Sequence, residues 1–307
     1  MNLAKLAQGR AEPEILAWAK ARGIPGAEAL LKQLWRPLAE ELVVQRQRLG
    51  RPLIQGLLGM QGAGKTTLGE VLTLLLGQMG YRCLGFSIDD LYKTDRERQA
   101  LMQQDPRLIW RGPPGTHDLD LGLGVLAALR RGGVAEIPQF DKALGEGRGD
   151  RIAPKIVQDI DIVLFEGWFL GMQPLAPQHF DGLDGGDYGN ALPLPAPLVT
   201  AADRAFARDC NARLGDYLPL WDQLDGLMVL ALSDYRLSKT WRLAAERRLR
   251  AQGRGGMGDR ELEAFVDYFW KALHPALFIP PLIQPGGQAD LVAEIGQDHG
   301  LVRLYRP

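Results

Sequence analysis

The chain has few residues of the kinds that form disulfides and zinc sites. Of its 307 residues only two are cysteines, Cys83 and Cys210, and neither belongs to a Cys-x-x-Cys pair. The four histidines are scattered without metal-ligand spacing. A disulfide framework and a zinc site are therefore not expected, and a reducing cytoplasm is the expected compartment.

An excess of one charge and long apolar runs are also lacking. The 36 lysines and arginines are balanced by 37 acidic residues, which gives a net charge of −1. We therefore expect neither nucleic acid nor an anionic membrane as a partner. No apolar run approaches the length of a membrane span, and residues 1–14 lack an apolar signal core. The 46% apolar share is ordinary for a globular protein with one large α/β domain or two small ones.

Residues 53–76 contain the pattern Gly-x-x-x-x-Gly-Lys-Thr between an apolar run and a segment of helical spacing. A strand, glycine-rich loop and helix in this order direct backbone N–H groups and a helix N-terminus at an anion. Lys65 is predicted to reach the β- and γ-phosphates of a nucleotide, and the Thr66 hydroxyl to hold Mg²⁺. The alternative is a chance match in a chain with 37 glycines. The predicted nucleotide-binding residues are Gly59, Gly62, Ala63, Gly64, Lys65, Thr66 and Thr67.

Acidic residues follow two of the predicted strands. Asp89 and Asp90 come after the apolar segment 81–88, and Glu166 ends the continuous apolar run 160–165. Ligands of α/β sheets bind at the carboxyl ends of strands, so one of the two aspartates is a predicted general base and the other could bind metal-bound water. Glu166 is a predicted magnesium-side carboxylate. The alternatives are that the aspartates cap the next helix and that Glu166 only terminates its strand.

Two loops and one helix add further polar residues. The Gly/Pro-rich loop 110–118 carries Arg111, His117 and Asp118, and it precedes a predicted helix over 119–131. A short predicted strand, 134–138, leads to a turn-rich segment, 145–151, that contains Arg148 and Arg151. All five are predicted substrate-site residues because loops often carry function. The alternatives are a helix start at 117–118 and a solvated surface turn at 145–151.

A basic helix is predicted over residues 235–249, followed by a glycine-rich break at 253–258 and another helix over 259–273. Such a unit suits a lid over transferring phosphates, because arginines stabilise the charge and closure excludes water. Its basic residues are Arg236, Lys239, Arg242, Arg247, Arg248 and Arg250, and the alternative is a solvated helix face. The lid region is taken as about 236–260.

The predicted fold is α/β, with a P-loop NTPase-type parallel sheet flanked by helices. Residues 1–50 are predicted to form a helical extension packed on the core, and residues 51–307 the domain that contains the phosphate loop. Further strands are predicted at 226–232, 291–295 and 301–305, and a helix at 202–217. The Pro/Gly-rich stretch 174–203 is predicted to be a long exposed insertion, with 181–197 as a variable loop.

Several motifs together resemble a known family. They are SIDDLY (87–92), RGPPGTHD (111–118), PQFDK (138–142) with GRGDR (147–151), LFEGWFLG (164–171), WRLAAE (241–246) and GMGDRE (256–261). In this order they resemble the plant-type D-glycerate 3-kinases of photorespiration, within the phosphoribulokinase, uridine kinase and pantothenate kinase group. The resemblance covers about residues 51–282. It implies ATP-dependent phosphorylation of D-glycerate to 3-phosphoglycerate with Mg²⁺. It assigns Asp89 to the acceptor hydroxyl as general base, and Thr66, Asp89 and Glu166 to the metal. It also places Asp90 and Tyr92 at the substrate, and Arg242 and Arg247 in the lid as the predicted catalytic arginines.

The acceptor's carboxylate calls for a cationic clamp, for which Arg111, Arg148 and Arg151 are the predicted residues. Where related kinases often carry tyrosine this chain has Phe140, which has no hydroxyl. Other activities stay open: a kinase for a nucleoside or a sugar phosphate, an ATP-binding regulator, or an inactive scaffold. A guanine-binding Asn-Lys-x-Asp motif is absent from the sequence, which argues against a GTPase switch.

Overall fold

The computed structural model describes residues 3–180, 194–251, 253 and 257–307, and it describes side chains from residue 12 onward. Most of the predicted variable loop, residues 181–193, therefore lies outside the described residues, as do residues 252 and 254–256 at the predicted lid break. Among the helices that are described, none combines the length and the apolarity that crossing a membrane requires.

The N-terminal residues form helices that pack on the sheet domain. Helix α1 (Leu3–Ala21) is followed by α2 (Ala27–Leu30), which continues through a π-helical turn into α3 (Arg36–Leu49). Their apolar residues recur at helical spacing and are buried against the sheet and its neighbouring helix, since burial of one face is what stabilises a surface helix. These buried residues include Ile15, Ala19, Leu31, Leu34, Leu38 and Leu42.

The strands form one large sheet and one separate hairpin. In chain order the strands of the described part are β1 (Leu53–Gly59), β2 (Cys83–Ser87), β3 (Val134–Asp141), β4 (Asp150–Gln158), β5 (Ile162–Gly167), β6 (Gly226–Leu232), β7 (Leu291–Ile295) and β8 (Leu301–Tyr305). The large sheet has the order β2-β5-β1-β6-β7-β8, and only β8 pairs antiparallel in it. Strands β3 and β4 pair antiparallel with each other.

Helices cover both faces of the large sheet. The described helices that follow α3 in the chain are α4 (Lys65–Gln78), α5 (Asp95–Gln104), α6 (Leu119–Arg131), α7 (Ala201–Arg213), α8 (Leu218–Trp221), α9 (Leu237–Ala251), α10 (Asp259–Ala272), α11 (Pro275–Phe278) and α12 (Pro280–Ile283). Short 3₁₀ turns lie at Ile88–Leu91, Pro177–Phe180 and Leu214–Tyr217. The prediction of an α/β fold with a parallel sheet flanked by helices is confirmed.

Alternation along the central strands divides the interior into two cores. Ile54 and Leu58 of β1 face the core that contains residues of α6, α7 and α10. Leu53 and Leu57 face the core that contains residues of α1, α3 and α4. Successive side chains of a strand point to opposite faces, so one continuous apolar run serves both cores.

Two sequence expectations are wrong. The turn-rich segment 145–151 is only the tip of a hairpin whose second strand, β4, was not predicted. Most of its side chains are exposed, so the strand lacks the apolar pattern of a buried one. The stretch 174–203 is not simply an exposed insertion, because Phe180 and Leu198 are 0% and 2% exposed. Both belong to the core on the α6 side of the sheet.

Candidate active site

The loop between β1 and α4 forms one side of the site. Strand β1 is buried along its whole length, and the chain leaves it at Gly59. Gly64, with a φ of 90°, has a left-handed conformation that suits glycine, and it immediately precedes α4. The Lys65 ammonium donates to the Gly59 carbonyl at 2.6 Å and to the Met60 carbonyl at 3.2 Å. The helix N-terminus and the ammonium thus meet at this loop, as in phosphate-binding sites.

A cleft of about 930 Å³ opens from the loop. It extends between the ends of β2 and β5, the tip of the β3–β4 hairpin, the loop before α6, and the facing sides of α9 and α10. Gly59, Ala63, Gly64 and Thr67 belong to the loop and to the first turn of α4. The predicted residues that line the cleft are Gly62, Lys65, Thr66, Asp89, Asp90, Tyr92, Arg111, Arg148, Glu166 and Arg242.

The sheet register brings the carboxylates to this cleft. Glu166 of β5 is opposite Ser87 of β2 and Leu57 of β1, so β2 and β5 end at the same edge of the sheet as the phosphate loop. The Ser87 hydroxyl accepts from the Asp89 backbone N–H, and the Ser87 N–H donates to the Asp90 carboxylate. This capping box binds Asp90 locally and leaves the Asp89 side chain directed elsewhere.

Both carboxylate oxygens of Asp89 accept hydrogen bonds. The Tyr92 hydroxyl donates to Oδ1 at 2.7 Å, and the Lys142 ammonium donates to Oδ2 at 2.6 Å. Burial alone would raise the pKa of Asp89, but Lys142 and Tyr92 outweigh it and hold that pKa below its usual value. Asp89 is therefore ionised at neutral pH and able to accept a proton.

The charges around the phosphate loop are coupled. Desolvation lowers the pKa of Lys65, and the negative charges of Glu166 and Asp89 oppose this. Desolvation and the charge of Asp89 raise the pKa of Glu166, with Lys65 opposing. A further cation beside Glu166 and Asp89 would relieve both the desolvation of Glu166 and the repulsion between the two carboxylates.

Thr66, Asp89 and Glu166 supply a hydroxyl and two carboxylates to one wall of the cleft. Within the described ranges no group of three or more His, Cys, Asp or Glu residues could hold a metal ion. Mg²⁺ in nucleotide sites needs no such cage, because one or two carboxylates and the substrate's phosphates suffice. The donor set therefore fits Mg²⁺ bound together with a nucleotide.

Arginines hold the tip of the hairpin over the cleft. Arg98 donates to the carbonyl of Arg148 at 2.7 Å and of Gly149 at 2.6 Å, and Arg111 donates to the carbonyls of Gly147 and Arg148 at 2.7 and 2.9 Å. Both guanidinium groups also lie over the Phe140 ring. The Arg148 side chain pairs with Asp95 of α5 at 3.0 Å. These contacts fix where the hairpin tip lies.

Three predicted substrate residues lie behind the cleft wall rather than in it. His117 is 1% exposed, stacks on Tyr92 and bonds through Nδ1 to the Tyr217 hydroxyl. Burial lowers the pKa of His117 to about 3, so the ring is neutral. Asp118 caps α6 and pairs with Arg151, which also donates to the Tyr92 carbonyl. In this structure they support Tyr92, and their role as substrate residues stays a prediction.

The two predicted lid arginines differ in position. Arg242 lines the cleft and pairs with Glu246, which is 5% exposed and also accepts from the Met257 backbone N–H. Arg247 is exposed and pairs with Asp259 at the start of α10. That pair lies outside the cleft lining, so the position of Arg247 lends its predicted catalytic role no support.

The sequence of this chain is similar to those of known kinases. No family model matches the chain. The chain is 32% identical over 242 residues to the chloroplastic D-glycerate 3-kinase of Arabidopsis thaliana, covering 74% of this chain and 49% of that protein. It is 31% identical over 236 residues to the uncharacterized kinase mug58 of Schizosaccharomyces pombe, covering 72% of this chain and 79% of that protein. This chain belongs to their family of P-loop kinases.

A solved structure supports the same membership. The D-glycerate 3-kinase from Cryptococcus neoformans superposes with a TM-score of 0.77 at 28% identity, covering 89% of this chain and 99% of that one. The kinase described here spans about half the length of the plant relative. The family resemblance inferred from the motifs is confirmed, and so is the expectation of a P-loop kinase.

Many residues of the cleft lining were not predicted, and two of them are the cations Lys142 and Arg98. Lys142 belongs to the PQFDK motif but has no predicted role, and Arg98 is not among the predicted site residues. The predicted strand ended at residue 138, whereas β3 continues to Asp141 and Lys142 follows it directly. Arg98 has no local signal, because it is one of several charged residues on α5.

Proposed function

We propose that this kinase transfers the γ-phosphoryl group of Mg-ATP to D-glycerate, forming 3-phosphoglycerate and ADP. One observation carries the proposal: an ionised aspartate with two hydrogen-bonded oxygens faces the same cleft as a phosphate loop. The choice of D-glycerate and of its 3-hydroxyl rests on the names of the plant and fungal relatives. Kinases of other small hydroxylated metabolites are the alternatives that the experiment below separates.

The roles of the residues follow from their positions. The phosphate loop and Lys65 bind the β- and γ-phosphates of ATP through backbone N–H groups and the ammonium. Asp89 accepts the proton of the acceptor hydroxyl. As it does so, the hydroxyl oxygen bonds to the γ-phosphorus of ATP, and the bond between that phosphorus and ADP breaks. Arg242, on the opposite wall, stabilises the charge on the transferring group. Positioning and charge stabilisation are the main needs of phosphoryl transfer.

Thr66, Asp89 and Glu166 are the residues that would hold Mg²⁺. When bound, Mg²⁺ supplies charge neutralisation to the β- and γ-phosphates. The raised pKa of Glu166 reflects its desolvation and the neighbouring charge of Asp89. Binding of a cation lowers the pKa of such a carboxyl, so the three residues and the ion stabilise one another.

The chemistry of the cleft suits an anionic acceptor. Three cations, Lys142, Arg98 and Arg111, contribute to its lining on the hairpin side. The rings of Trp168 and Phe269 also line the cleft, and they pack on each other with their centroids 4.9 Å apart. Cations next to an apolar wall favour a small acceptor with a carboxylate. A nucleoside would instead require a stacking site for its base.

The proposal is tested by ADP release from the purified kinase with Mg-ATP and D-glycerate. Uridine, pantothenate and ribulose 5-phosphate serve as competing acceptors. Stimulation by D-glycerate with formation of 3-phosphoglycerate is expected, together with its loss in Asp89→Asn. Asp209→Asn, which changes an exposed carboxylate on α7, is the matched control and should keep full activity. Stimulation by another acceptor alone would refute D-glycerate, and ATP binding without any stimulation would favour a regulator.

A further inference from the structure

The ammonium group of Lys142 lies against the predicted catalytic base. Its Nζ is 2.6 Å from Asp89 Oδ2, while the Tyr92 hydroxyl donates to Oδ1 at 2.7 Å. Each carboxylate oxygen can accept a second hydrogen bond. An acceptor hydroxyl that donates to Asp89 Oδ2 would therefore lie directly beside the Lys142 ammonium.

Lys142 is the donor that can leave. Tyr92 is 3% exposed, and its ring is packed between His117 and Phe140. The Lys142 side chain is 57% exposed and is placed just past the end of β3. An exposed ion pair adds little net free energy, since solvent screens it and a long side chain loses freedom in it. The Lys142 ammonium can therefore leave Asp89 and bind another anion in the cleft.

The neighbouring cations are already committed to other partners. Lys65 donates to two carbonyls of the phosphate loop. Arg98 and Arg111 hold the carbonyls of the hairpin tip, and Arg148 pairs with Asp95. Each of these contacts fixes a structural segment, whereas the contact of Lys142 is to the reacting carboxylate itself.

We infer that Lys142 is a specificity-determining residue that selects acceptors carrying a carboxylate. When such an acceptor binds, the ammonium moves from Asp89 Oδ2 to the acceptor's carboxylate. Oδ2 then accepts the proton of the acceptor hydroxyl as the new oxygen–phosphorus bond forms and ADP leaves. The inference rests on the proposed function, because it assigns the charged end of the proposed acceptor to one residue.

Replacing Lys142 tests the inference. Kinetics and calorimetric titration of D-glycerate, the latter with a non-hydrolysable ATP analogue, are measured for Lys142→Met and Lys142→Arg. The matched control is Lys155→Met, since Lys155 is an exposed lysine on β4 of the same hairpin. In Lys142→Met the KM and Kd for D-glycerate should rise about 10- to 100-fold, the range of a charge-assisted hydrogen bond.

The other readouts separate recognition from general damage. The KM for ATP should stay unchanged in every variant, Lys142→Arg should recover most of the affinity, and Lys155→Met should match the wild type. A fall in kcat with unchanged KM and Kd would overturn the inference, as would unchanged kinetics. If Lys142→Met shows no turnover, the titration alone decides. A wild-type kinase that neither binds nor phosphorylates D-glycerate would refute the proposed function itself, a result that does not depend on any variant.

Discussion

The substitution Gly112→Ala tests how tightly the loop before α6 is built into the cleft. Gly112 has a φ of 129°, a conformation that residues with a side chain rarely adopt. A Cβ atom placed there would lie less than 3.0 Å from two ring carbons of Phe269. Phe269 is 5% exposed and its ring also packs on Trp168. The ring therefore has little room to move away.

The expected cost has two parts. Holding alanine in this backbone conformation costs about 1–3 kcal/mol, and forcing a methyl group into a packed core costs about 1–3 kcal/mol. The free energy of unfolding should thus fall by about 2–6 kcal/mol, a large share of the ~5–15 kcal/mol typical of folded proteins. The Gly112 carbonyl also accepts from Trp168 Nε1 at 3.3 Å, so the lining of the cleft should shift with it.

Urea denaturation followed by far-ultraviolet circular dichroism measures the change. The matched control is Gly124→Ala, because Gly124 is an exposed position within α6 where an added Cβ meets nothing within 4 Å. That substitution should stabilise the protein by about 0.5–1 kcal/mol. If Gly112→Ala unfolds at the same urea concentration as the wild type or higher, the loop is not fixed against Phe269 and the reasoning fails.

Two further predictions concern the cleft. Tyr92→Phe removes the hydroxyl that donates to Asp89 and so raises the pKa of that carboxyl. The acidic limb of the kcat/KM profile against pH should therefore move to higher pH. If the limb does not move, Asp89 is not the base. Arg242→Ala should lower kcat about 100- to 1,000-fold at saturating ATP, as expected for a donor to the transition-state charge. Arg247→Ala breaks only the exposed pair with Asp259, so its kcat should stay within about twofold of the wild-type value. Equal losses in both variants would contradict the distinction between them.

The sequence was most informative where one local segment carries the whole signal. The phosphate loop needs only its own glycines, Lys65 and the adjoining strand and helix. Glu166 follows from an apolar run that ends in an acid. These features depend on neighbours in the chain, so periodicity and motif are enough to predict them.

Features that depend on contacts between distant segments were not predictable in the same way. His117 and Asp118 follow a Gly/Pro-rich loop in the sequence, and nothing local indicates that one packs behind Tyr92 and the other pairs with Arg151. Strand β4 was missed because its exposed residues lack an apolar pattern, and with it the position of Lys142 was lost. The side of the cleft on which each cation lies is decided by tertiary packing.

The division of the interior into two cores has a consequence for engineering the enzyme. The N-terminal helices share their core with α4, the helix that begins at the phosphate loop. The aromatic wall at Trp168 and Phe269 belongs to the opposite core. Acceptor preference can therefore be redesigned in the core that contains Trp168 and Phe269, while the core that supports α4 is left unchanged and keeps the affinity for the nucleotide. Truncation of the first fifty residues would impair ATP binding before it altered the choice of acceptor.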